Sequence, residues 1–185
     1  MIRGLIIIGI FLTTLLSEEY QSKTDTPPTV VDKVNINKYC GLWYEIARIP
    51  NSFQSRCARE VTARYELRND GRLNVTNKCI KENGKINKIK GIAKIVDNNT
   101  NAKLKVSFVR IFGFNLFWGD YWIIGLDESY EYAVIGGPER KYGWILSRKP
   151  ALKDRTIQEI FKLLKNKGYD PERFVMTEQN MGLTK

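Results

Sequence analysis

Among side chains able to do chemistry, the most informative count in this sequence is zero: it has no histidine. Ser-His-Asp and Cys-His nucleophile systems need an imidazole as base, and histidine-ligated zinc or haem needs one as ligand, so composition excludes all of them. Three cysteines are present, Cys40, Cys57 and Cys79, and an odd number in an exported chain leaves one thiol over. Carboxylate-pair and lysine Schiff-base chemistry survive this filter, but neither needs a local motif, so spacing neither shows nor dismisses them. Glu45 is the acid that could serve as a general base, which would require a raised pKa and a substrate beside it.

These residues have to be positioned by a chain of 185 residues, enough for one well-packed domain and too short for two. Hydrophobic residues make up 43% and charged residues 27%, an ordinary globular balance. The formal charge of +10 invites a nucleic-acid reading. The basic residues do not cluster, however; in Lys88-Ile89-Lys90 and Lys103-Leu104-Lys105-Val106 they alternate with apolar ones, as on the solvated face of a strand. No nucleic-acid partner is expected, and attraction to an anionic lipid or envelope polymer is the alternative use of the charge.

Residues 1–17 carry Arg3, an apolar run from Leu5 to Leu16 and a polar exit, the pattern of an export signal, either cleaved or kept as an anchor. The expected location is the periplasm, the outer membrane or the exterior. Lipidation would need a cysteine just after the apolar run, and the first cysteine is Cys40. Residues 18–33, with Pro27-Pro28, read as a flexible tether, and the domain is expected over 34–185.

From Trp43 to Arg148, period-two alternation broken by turn residues predicts eight strands, at 42–49, 59–68, 72–81, 86–97, 102–109, 119–127, 131–137 and 142–148. Short links make sequence neighbours pair. Closure removes unpaired edges, so the expected fold class is all-β, an eight-stranded antiparallel up-and-down barrel with room for one small ligand. Residues 153–167 space Ile157, Ile160, Phe161 and Leu164 helically before Gly168, which predicts one C-terminal amphipathic helix packed outside the barrel. The segment 173–177 could add a last short strand.

The run Gly41-Leu42-Trp43-Tyr44-Glu45-Ile46-Ala47-Arg48-Ile49-Pro50 resembles the Gly-x-Trp signature of the lipocalins, in particular the bacterial outer-membrane group to which apolipoprotein D is related. The segments 117–127 and 144–148, with the helix after them, extend the resemblance over about 34–178. It implies binding and transport or storage of a lipophilic molecule such as a fatty acid or lysophospholipid, without catalysis, cofactor or metal. It further implies a Cys57–Cys79 disulfide, which leaves Cys40 as the free thiol. Gly41, Trp43 and Arg148 become the closed-end signature, with the guanidinium over the indole.

Phasing the strands with Trp43 inward places Glu45, Ala47 and Ile49 inside, then Ala63 and Tyr65, Val75 and Asn77, Gly91 and Ala93, Val106 and Phe108. Tyr121, Ile123 and Gly125, then Tyr142 and Trp144, complete an apolar, aromatic lining in which small residues opposite large ones suggest a void. The ligand-contacting set expected from this is Glu45, Ala63, Tyr65, Val75, Asn77, Ala93, Val106, Phe108, Tyr121, Ile123, Tyr142 and Trp144. Tyr65, Asn77, Tyr121 and Tyr142 are its handles for a polar head. The link from 109 to 118 is unusually apolar and longer than the family pattern. Phe112, Phe114, Leu116, Phe117 and Trp118 there could form a lid, dip into lipid or help a dimer, so the chain is expected to be a monomer or homodimer.

Overall fold

Alternation fixes which face of a strand can be buried, and a sheet with one apolar face is stable only if that face is covered or closed on itself. The computed structural model, which describes residues 26–179, shows closure. Eight antiparallel strands form the wall: β1 (Gly41–Arg48), β2 (Arg59–Leu67), β3 (Leu73–Ile80), β4 (Ile86–Ile95), β5 (Lys103–Ser107), β8 (Gly119–Leu126), β9 (Tyr132–Gly136) and β10 (Trp144–Ser147). Each pairs with its neighbour in this order, and β10 returns to pair with β1 through Tyr44↔Ser147 and Arg48↔Trp144. Between β5 and β8 stands a separate hairpin, β6 (Val109–Ile111) and β7 (Phe114–Leu116). Its two-residue turn, Phe112-Gly113, has φ of 47° and 87°, the handedness that matches the twist of a tight hairpin. The link from 109 to 118 is therefore ordered by its own ladder.

Helix α1 (Ile36–Tyr39) precedes β1, capped by the Asn35 side chain, which accepts from Lys38 N at 3.2 Å. Helix α2 (Asp154–Asn166) lies outside the barrel, and Ile160 and Leu164 pack on Ile46, Ile124, Val134 and Ile145. Strand β11 (Val175–Met176) adds to the outer edge of β1.

The phase predicted from Trp43 fails at two places, both bulges. A register shift between Glu45 and Ala47 in β1 turns Ala47 and Ile49 out of the lumen and into the layer under α2. A second shift, between Ile123 and Gly125, does the same to Gly125, whose α-carbon faces the Leu163 side chain. One extra residue reverses every side chain beyond it. The described part of the expected tether is also not free. Thr26 O accepts from Arg140 at 2.7 Å, Thr29 O from Lys167 at 3.0 Å, Val31 N donates to Ile123 O and Val34 N to Thr100 O. The reason is apolar content: Pro28 is buried and Val30 and Val31 pack on the two cores. The expected export signal and residues 18–25 lie outside the described residues.

Candidate functional site

One end of the barrel is sealed from the sequence upward. Gly41 has φ +106°, a conformation that L side chains rarely adopt, and a β-carbon there would stand 3.2 Å from Arg148 Nη1. The Arg148 guanidinium lies 3.7 Å from the Trp43 ring centre and donates to the carbonyls of Leu42, Lys38, Tyr39 and Cys40 at 2.7–3.1 Å. A planar, permanently charged group with several donors is what such a constellation of carbonyls needs. Trp43 Nε1 donates to Tyr39 O at 2.8 Å, so Trp43, α1 and β10 close the floor as one unit. Cys40 beside it is a free thiol whose pKa burial pushes up, which lowers its thiolate fraction.

Above this floor is a cavity of about 590 Å³, open between the β1–β2, β5–β8 and β9–β10 connections. Ten of the twelve residues expected to contact a ligand line it: Glu45, Ala63, Tyr65, Val75, Asn77, Val106, Phe108, Tyr121, Tyr142 and Trp144. Ala93 and Ile123 do not. Both are fully buried in the packed layer below the cavity, where the barrel narrows over Trp43 and Leu73. Gly91 opposes Phe108 so closely that a β-carbon would stand 2.6 Å from its ring, so the space expected there as void is filled by the phenyl group.

Three hydroxyls are linked at the bottom of the barrel, those of Tyr65 and Tyr121 on the cavity lining and that of Tyr39 buried behind them. Tyr121 Oη is 2.7 Å from Tyr39 Oη and accepts from Tyr65 Oη at 2.8 Å. Burial pushes all three phenols above their usual range, so they are neutral donors at physiological pH. Three hydroxyl hydrogens and two bonds among them leave one hydrogen, on Tyr121 or on Tyr39 according to which of the two donates. On the wall above, Asn77 Oδ1 is buried and accepts no hydrogen bond. A buried acceptor without a donor costs about 1–3 kcal/mol.

At the mouth, Glu45 is 2% exposed and held by three hydrogen bonds. Its Oε1 accepts from Arg48 at 2.5 Å and from Thr177 at 2.7 Å, and its Oε2 from Gln54 at 2.8 Å. A carboxylate so held is an anchor: three of its roughly four acceptor sites are taken by Arg48, Thr177 and Gln54, which leaves it poorly placed to take a proton from a substrate. Gln54 Oε1 in turn accepts from Trp144 Nε1 at 2.8 Å, and Phe53 stands edge-on to Tyr142 at 5.3 Å. The Cys57–Cys79 disulfide ties the same connection to β3. Phe53, Gln54 and Tyr39 were not expected at the site: they lie outside the alternating strands, and only the Asn35 cap signals α1.

The Phe117 and Trp118 side chains at the base of the β6–β7 hairpin also line the mouth, while the tip projects away, with Phe112 96% and Phe114 72% exposed. Among the described residues, no group of three or more acidic or cysteine side chains is placed to hold a metal ion.

The family model described as Lipocalin-like domain matches residues 34–179. Outer membrane lipoprotein Blc of Escherichia coli K12 is 41% identical over 158 residues, covering 83% of this chain and 86% of that protein. Apolipoprotein D of Mus musculus is 32% identical over 179 residues, 92% of this chain and 90% of its own. Temperature-induced lipocalin-1 of Arabidopsis thaliana is 36% identical over 154 residues, 82% of each. Among solved structures, insecticyanin of Manduca sexta superposes with a TM-score of 0.66 at 20% identity over 84% of this chain and 85% of its own. Lobster apocrustacyanin A1 does so at 0.64 and 21%, over 84% and 91%. At such identities these two speak for the fold alone.

Proposed function

We propose that this chain, which belongs to the lipocalin family, carries one single-chain amphiphile of the fatty-acid or lysophospholipid class in its barrel lumen, as an exported protein of the cell envelope. The observation that carries this reading is the cavity of about 590 Å³ with largely apolar walls and a few polar side chains, Tyr65, Asn77 and Tyr121 among them. That volume falls within the roughly 300–1,000 Å³ of small-molecule sites. Each methylene moved from water to the wall contributes about 0.8 kcal/mol, so a short run of them gives micromolar binding after ordering costs. The bottom of the lumen is a poor place for charge, as the raised phenols indicate, so the head group stays at the mouth near Lys78 and Lys141 with the chain directed inward. Export is supported by the apolar run after Arg3 and by relatives named as outer membrane lipoproteins.

The experiment is a fluorescence titration with a fatty-acid probe, followed by displacement with lysophospholipid. Saturable one-to-one binding at micromolar level or below is expected, lost in Ala63→Phe, which puts a ring into the lumen from β2. No binding by folded, disulfide-bonded protein, or unchanged binding in Ala63→Phe, would reject the lumen as a carrier site. Ala93→Phe is a poor substitute, because Ala93 is packed below the cavity and added bulk there strains the fold.

A further inference from the structure

The two ends of the barrel differ in charge, in apolar exposure and in where the N-terminal chain meets them. The open-end connections carry the cations Arg56, Lys81, Lys85, Arg110 and Lys141 against Glu82 and Glu139, with Arg140 turned inward to bind Thr26 and Lys167 carbonyls. The closed end carries Asp70, Asp97, Asp127, Glu128 and Glu131 against Arg68 and Arg72 in the connections and Lys33, Lys38, Arg148 and Lys149 on the segments that enter and leave the barrel. The cation excess is thus concentrated at the mouth, while the charges at the floor nearly balance. Exposed apolar side chains share the positive end: Phe112, Phe114 and Phe117 on and beside the β6–β7 hairpin, Phe53 in the first connection, and Ile86 at 73% exposure beside Lys85.

The strap of residues 26–34 runs down the barrel from the mouth, where Thr26 meets Arg140, to the floor, where Val34 meets Thr100. The described chain thus begins at the same rim.

We propose that the open end docks on the surface of a bilayer containing anionic phospholipid, with the Phe112–Phe114 tip in the interface and the lumen facing the lipid. Large apolar side chains flanked by cations are the composition of a peripheral membrane surface, in which aromatic burial and attraction to anionic head groups add. Docking this way shortens the path of an amphiphile between bilayer and lumen, but the surface itself does not depend on the carrier reading.

The test uses the full chain with vesicles of phosphatidylcholine, alone or with three parts in ten of phosphatidylglycerol, followed by flotation and by hydrogen exchange of the bound protein. Partitioning is expected to favour the anionic vesicles by at least tenfold and to fall when salt is raised to 1 M. Amides of 108–118 and 81–86 should gain protection, and those of 127–131 should not. Phe112→Asp/Phe114→Asp should lose that protection and weaken partitioning at least tenfold, with unchanged affinity for a soluble fatty-acid probe. Absence of binding, protection at 127–131 instead, or unaltered protection of 81–86 in the double variant would each overturn the docking surface. A chain that docks but binds no probe would reject the carrier reading alone.

Discussion

Asn77 Oδ1 is the one buried side-chain oxygen or nitrogen among the described residues without a partner, and it lines the cavity. A lysophospholipid has a free glycerol hydroxyl to donate to it, whereas an ionised fatty acid has no donor. Asn77→Leu should therefore leave fatty-acid affinity unchanged or improved and reduce lysophospholipid affinity about fivefold, the worth of a neutral hydrogen bond of about 1 kcal/mol. Competitive displacement of one fluorescent probe by the two ligands reads the ratio, and an equal change for both would refute the assignment. Arg148 offers a second test at this scale. Its five contacts, one indole face and four carbonyls, depend on the planar fork of a guanidinium. Arg148→Lys keeps the charge but should cost about 3 kcal/mol in urea unfolding, because hydrogen bonds to a charged group contribute about 1.5–3 kcal/mol each and a lysine reaches few of the four carbonyls. A loss below about 1 kcal/mol would show that the floor is held by Trp43 and α1 without it.

At the scale of elements, the first connection owes its position to two attachments. The Cys57–Cys79 disulfide spans 22 residues, and the Trp144–Gln54–Glu45–Arg48 chain of hydrogen bonds joins the connection to β10 and β1. Reduction should lower stability by about 3 kcal/mol by the loop-closure argument. It should also raise hydrogen exchange in residues 49–58 more than in the strands; uniform exchange would mean that the bridge does not localise this segment. The eight strands and α2 were legible because alternation and helical spacing are written residue by residue, and their bounds moved by one or two positions. The lumen was legible only up to the bulges. Nothing in Glu45-Ile46-Ala47 marks an inserted residue, and the outward turn of Ala47 follows from packing against α2, which lies more than a hundred positions away. The strap failed for a different reason. Pro27-Pro28 signals a linker, and only the groove that receives Val30 and Val31 makes it part of the wall.

For the whole molecule, the three linked phenols at the bottom of the lumen tie stability to alkaline pH. An unfolded tyrosine loses its proton near pH 10. Burial holds Tyr39, Tyr65 and Tyr121 above that value in the folded state. Above pH 10 the folded chain therefore binds more protons than the unfolded one, and unfolding becomes more favourable as pH rises; below pH 10 the contribution is complete and constant. The chain has nine tyrosines, and at least these three should stay silent in an absorbance titration of the phenolate while the barrel is intact. They should then ionise together with the loss of the near-ultraviolet dichroism of Trp43 and its neighbours. A lumen ligand binds only the folded form, so saturating ligand should move this cooperative step to higher pH. If all nine tyrosines titrate reversibly near pH 10 with the dichroism retained, the floor of the lumen is open to water, and the exclusion of charge from it, on which the head-at-mouth orientation depends, is lost.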